Sequence, residues 1–141
     1  MARRLFESVG CWPNSDRNRP MLPVTLSTLT GQRILDKQEM TVDTGFAGAV
    51  LLTREVFAHF ENAELAESES RIYRTLIGPI PMRTARALVR LPVGDEIETL
   101  VDTPKYGAGR SLIGLQVLRR IELLLSGSRS ESCLLKEVGE A

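Results

Sequence analysis

One stretch constrains this chain more than any other: Met40-Thr41-Val42-Asp43-Thr44-Gly45-Phe46-Ala47-Gly48-Ala49-Val50-Leu51-Leu52. A β-branched run ends in Asp-Thr-Gly, passes through a turn of small residues, and resumes as an apolar run. Such a pattern reads as a strand end, a tight loop and a second buried strand. A carboxylate at that point is held by the end of the first strand. Gly45 lets the backbone turn and approach a partner closely, and the Thr44 hydroxyl can tie the loop down. Phe46 is the only bulky residue near Asp43.

Around this stretch the signals are mainly those of short strands. Pro23–Leu29 alternates apolar and hydroxyl residues and stops at Thr30-Gly31, and a second run covers Gln38–Val42. Arg86–Val93 and Glu96–Val101 are β-rich runs joined by Gly94-Asp95, which predicts a hairpin. Thr53 can N-cap a short helix whose Val56, Phe57 and Phe60 share one face. Leu115–Arg120 predicts a second brief helix before a strand over Ile121–Leu125.

The expected organisation is an extended arm over 1–21, one domain over 22–125 and a linker-like tail over 126–141. With 141 residues the chain has room for one domain with a real core. Eighteen basic residues balance eighteen acidic ones, so no overall field recruits nucleic acid or an anionic membrane. No apolar run is long enough to span a bilayer as a helix, and no apolar segment follows the charges at Arg3-Arg4. Cys11 and Cys133 lie far apart with no CxxC spacing, so they suggest neither a metal site nor a disulfide framework. A soluble, reducing, cytoplasmic setting is the expectation, with no cofactor and no metal.

Asp43-Thr44-Gly45 resembles the active-site triplet of the retropepsin-like aspartic peptidases, most closely the small bacterial and archaeal members. A second signature of that family, two apolar residues and a glycine leading into a short helix, is matched by Leu112-Ile113-Gly114 and Leu115–Arg120. The resemblance spans about residues 22–125. It implies a mainly β, single-domain acid-protease half with a closed barrel and one or two short helices, working as a two-fold dimer. It implies that Asp43 is catalytic and that Thr44 and Gly45 support the loop. It also implies a flap hairpin over Tyr73–Met82, with Ile77 and Gly78 at its substrate-binding tip, and Ile121–Leu125 in an intersubunit sheet. Pro79 and Pro81 would remove two backbone donors near that tip.

Aspartic peptidase chemistry needs two carboxylates that share one proton. The chain has one such triplet. Asp102-Thr103-Pro104 has proline where the glycine is needed and reads as a strand-end turn. The second carboxylate is therefore expected from Asp43 of another copy, with a peptide or protein as substrate. An alternative is a peptide-binding or dimerisation module that keeps the fold without the chemistry. Other classes fit poorly. There is no G-x-x-x-x-G-K-[ST] phosphate loop and no G-x-S-x-G elbow. The lone His59, beside Phe57 and Phe60, reads as a helix-surface or semi-buried residue.

Overall fold

The structure, a computed structural model, describes residues 3–140. It is mainly β. Strands β1 (Arg4–Pro13), β2 (Met21–Ser27), β3 (Arg33–Val42) and β4 (Val50–Leu51) precede helix α1 (Arg54–Phe57). After two 3-10 turns come β5 (Ile72–Thr75), β6 (Gly78–Arg90), β7 (Ile97–Pro104) and β8 (Leu112–Ile113). Helix α2 (Leu115–Leu118) leads into β9 (Glu122–Ser126) and β10 (Glu131–Glu140). The runs expected to be strands and the two expected helices are present, with boundaries shifted by a few residues.

The main sheet has the order β2-β3-β8-β4-β7-β6-β5, and β2 also pairs with β6. That extra pairing, Thr25 to Arg90 through Ser27 to Leu88, closes strands β2 to β6 of that order into a barrel, with β5 outside the closure and paired with β6 alone. Leu22, Val24, Leu26, Met40, Val50, Val89, Val101 and Ile113 fill it, all essentially inaccessible. Thr53 caps α1 by accepting from the Val56 amide, which turns Phe57 and Phe60 inward. Each of these buried rings contributes about 1.5–3 kcal/mol by leaving water. Arg83 pins the 3-10 turn outside them, binding Glu64 through both carboxylate oxygens at 3.0 and 2.7 Å and lying over the Phe57 ring.

The terminal segments differ from what their composition suggests. Residues 4–13 are a strand, and so are residues 131–140; they pair with each other antiparallel in a second sheet of order β1-β10-β9. Polar and small residues there satisfy the backbone by mutual pairing, while Trp12, Leu123 and Leu134 pack against the barrel core. Cys11 stands directly opposite Cys133 in this ladder, and the two form a disulfide. Their distance in sequence hid a partnership that the strand register creates. The pairing also removes the ground on which a reducing setting was expected. Among the described residues no helix is long and apolar enough to cross a membrane.

The disulfide closes a loop between residues 122 apart in sequence, so it constrains most of the unfolded chain. Cys11→Ser, which leaves Cys133 in place, is expected to lower unfolding free energy by about 2–4 kcal/mol. Chemical denaturation of the variant against the oxidised wild type measures this; equal midpoints and slopes would show that the bond constrains nothing.

Candidate active site

Asp43 follows directly on β3. Its position is set by β8, which lies between β3 and β4: Thr41 and Val42 pair parallel with Leu112 and Ile113, and Val50 pairs antiparallel with Ile113. The Asp43 amide donates to the Ile113 carbonyl at 2.9 Å. Beyond it the loop is stitched to the start of α2. Gly114, Leu115 and Gln116 donate their amides to the carbonyls of Ala49, Phe46 and Gly48 at 2.8, 2.9 and 3.1 Å. Leu112-Ile113-Gly114 is thus the strand and turn on which the Asp43 loop rests.

The glycines are there for space. A Cβ on Gly114 would lie 2.3 Å from the Gly48 carbonyl oxygen and 2.6 Å from that of Phe46. One on Gly48 would lie 2.5 Å from both the Phe46 ring and the Tyr73 hydroxyl. Gly45 has no left-handed backbone; its amide donates to Asp43 Oδ1 at 2.8 Å, and a Cβ would stand 3.1 Å from that oxygen. Close approach rather than turn geometry is what requires glycine here. Thr44 is exposed on the loop.

Asp43 is half-buried at the wall of a cleft of about 380 Å³ that also includes Arg19, Glu39, Thr41, Arg110 and Ser111. Glu39, the other carboxylate in that cleft, accepts from both the hydroxyl and the amide of Ser15. His59 lines a different cavity, with Phe60 and Arg86, and takes no part here. The only metal-type grouping among the described residues is Cys11, Glu131 and Cys133, and the disulfide consumes its two sulfurs.

The hairpin expected over Tyr73–Met82 is present. Thr75 pairs with Gly78, and Leu76 and Ile77 form a fully exposed tip. Gly78 has φ +115°, a conformation that favours glycine. Pro79 and Pro81 do not break the ladder. The Met82 amide donates to the Arg71 carbonyl, so by strand alternation the prolines stand where an N–H would point away from β5.

Asp102 departs from its expected place in a strand-end turn. It lies inside β7, paired with Thr84 and Leu51, and is fully buried. Thr84 Oγ1 donates to one carboxylate oxygen at 2.6 Å and the Tyr73 hydroxyl donates to the other at 2.9 Å. Arg71 in turn donates to the Tyr73 hydroxyl at 3.2 Å. Burial raises the Asp102 carboxyl above its usual range, against the hydrogen bonds from Thr84 and Tyr73 and the charge of Arg71. Burial likewise pushes the Tyr73 phenol up to about 12. The Tyr73 ring meets Phe46 edge-on, centroids 5.1 Å apart. A buried polar cluster therefore joins the base of the hairpin to the Asp43 loop. Its sequence signal was the β-branched pair Val101 and Thr103 around Asp102, which marks a strand.

No protein-family model matches the sequence, and no curated protein matches it. Solved structures do. A retropepsin-like aspartic protease from Rickettsia conorii superposes with a TM-score of 0.54 at 14% identity, over 99% of this chain and 95% of that one. This chain has a retropepsin-like fold. EIAV protease complexed with the inhibitor HBY-793 gives a TM-score of 0.47 at 16% identity, over 77% of this chain and 93% of that one. In the retropepsin-like fold as this chain builds it, the similarity to the Rickettsia structure extends over the terminal strands as well as the barrel.

Gly114→Ala is expected to cost at least about 2 kcal/mol, because backbone must move to admit the methyl group. Thermal unfolding measures it; an unchanged midpoint would contradict the close approach. Asp102→Asn tests the buried cluster. The folded-state value of Asp102 is raised above its ordinary 3.8, so its stabilising contribution is present below that pH and is lost as pH rises through the folded value. The midpoint of the Asn variant relative to wild type should therefore climb between acid and neutral pH. A difference that stays flat would contradict the raised carboxyl.

Proposed function

We propose that two copies of this chain form an aspartic endopeptidase in which each contributes Asp43 to one proton-sharing dyad. The observation that supports this most is the carboxylate of Asp43, anchored by the Gly45 amide at an open cleft whose only other carboxylate, Glu39, is engaged by Ser15. One chain thus offers half of the chemistry. Two carboxylates brought together across a two-fold axis cannot both ionise, so one keeps a proton. The ionised member takes a proton from a water that attacks the scissile carbonyl. The protonated member donates to the carbonyl oxygen. The tetrahedral diol then returns one hydroxyl proton to that carboxylate while the other member passes the water's proton to the amide nitrogen, and the C–N bond breaks to release the amine.

Other residues take roles that fit this reading. Gly45 holds the carboxylate, and Thr44, exposed beside it, faces the opposing loop. The β5–β6 hairpin closes over an extended peptide with Ile77 and Gly78 at its tip, excluding water and adding main-chain hydrogen bonds. β9 has a free edge, and Leu124 and Leu125 on it are about half exposed. An apolar open edge of this kind fits a strand partner from a second copy.

Asp43→Asn should reduce peptide cleavage at least about a thousandfold while the variant sediments as the same dimer as wild type. Wild-type protein screened against a diverse peptide library over acid to neutral pH supplies the reference. An active monomer, or cleavage indifferent to Asp43, would overturn the dyad. A dimer that binds peptides and cuts none is the binding module instead.

A further inference from the structure

The cleft that contains Asp43 also presents two arginines, Arg19 and Arg110. Arg19 is already engaged by Asp16 at 3.3 Å. Glu39, the acid nearest in kind to a partner for either, accepts from Ser15. Arg110 is exposed and makes no ion pair among the described residues. We propose that Arg110 is the specificity residue of a subsite for an acidic side chain, so that the substrates are peptides with Asp or Glu close to the cleaved bond. The proposal rests on the peptidase reading and names its substrate class.

Arg110 does not hang from a free loop. On one side Gly109 lies against the backbone of Leu52, so closely that a Cβ there would be 2.0 Å from the Leu52 carbonyl oxygen. On the other, the Ser111 carbonyl accepts from the Thr41 amide at 3.3 Å, and Leu112 pairs with Thr41. The backbone of Arg110 is thereby fixed to the same strand that ends at Asp43. Continuing the parallel register puts Asp43 beside Gly114, four positions past Arg110, or about 13 Å along the strands. An extended arginine side chain covers much of that distance. The carboxylate it meets therefore belongs to a residue within about three positions of the bond over Asp43.

The chemistry favours a carboxylate over other partners. A guanidinium offers paired N–H donors that match both carboxylate oxygens, and closure of the hairpin would remove water from the pair. An uncharged amide of the same shape cannot return the second charge-assisted bond. A lysine in the peptide would face a fixed positive charge.

The test compares peptides that differ only in Glu, Gln or Lys at each of the positions flanking the cleaved bond. Wild-type protein should cut the Glu peptide with a kcat/KM about tenfold or more above the Gln peptide at the best position. The preference should shrink at high salt, because added ions screen the pair. In Arg110→Gln the Glu-to-Gln ratio should fall to near one, and in Arg110→Glu the Lys peptide should overtake the Glu peptide. Asp43-dependent cleavage with a wild-type ratio near one at every position would overturn the acidic subsite and leave the peptidase intact. Absence of any Asp43-dependent cleavage would overturn the peptidase reading instead. In that case binding of the fluorescent Glu peptide to the Asp43→Asn protein decides the subsite. A Glu preference abolished by adding Arg110→Gln upholds it, and equal binding of Glu and Gln peptides overturns it.

Discussion

The interaction on which the rest of this structure depends is the insertion of β8 between β3 and β4. Two residues, Leu112 and Ile113, bond to the strand that delivers Asp43 on one side and to the strand that leaves its loop on the other. Everything chemical about the loop follows from that placement. Asp43 is held through its own amide, and the loop beyond it is held through three amides at the start of α2. A short strand can do this because Ile113 is completely buried, paired with Val42 and Val50 and part of the same core as Met40 and Val101. Gly114 then permits backbones to touch where a side chain would keep them apart, and Gly48 leaves room for the Phe46 ring and the Tyr73 hydroxyl.

The hairpin and the loop are coupled through chemistry of a different kind. Tyr73 presents its ring to Phe46 and its hydroxyl to Asp102. Two hydroxyl donors satisfy the buried carboxylate, and Arg71 supplies positive charge one group further out. An unpaired carboxylate in the same place would cost several kcal/mol. Buried polar clusters of this sort fix one arrangement of the elements they join, since any other leaves a group unsatisfied. Movement of the hairpin would have to occur beyond Tyr73, nearer Leu76 and Ile77, which make few contacts and are open to solvent.

Much of the barrel was legible in the amino-acid order because local pattern and burial agree there. Val24, Leu26, Met40 and Val42 alternate as strands should, and Thr53 announces α1 by the hydroxyl it places at the cap. The Asp43 loop and the Leu112-Ile113-Gly114 turn were readable as a pair through the resemblance to the retropepsin-like peptidases, and the close backbone approach at Gly114 became visible only in the fold. What stayed hidden is what depends on register. Nothing near Cys11 points to Cys133; only the antiparallel ladder of the two terminal strands sets them opposite. Asp102 was misplaced because Asp-Thr followed by a proline reads as the end of a strand, whereas here Thr84 and Tyr73 across the sheet make its burial tolerable. Arg110 carries no signal of its own in the amino-acid order; only the fold puts it at the same cleft as Asp43.

The meeting of the first and last strands has a kinetic consequence. Arg4 lies against Glu140 and Pro13 against Glu131, so the β1–β10 ladder is made of the contacts most distant in sequence among the described residues. Loop-closure entropy makes such contacts slow to form in a reduced chain, where nothing shortens the search. A barrel that zips first, through its nearer hairpins, would present Trp12 and Leu134 with a finished surface on which to settle. Once Cys11 and Cys133 are joined, the ends can no longer drift apart, and each later refolding starts as a ring.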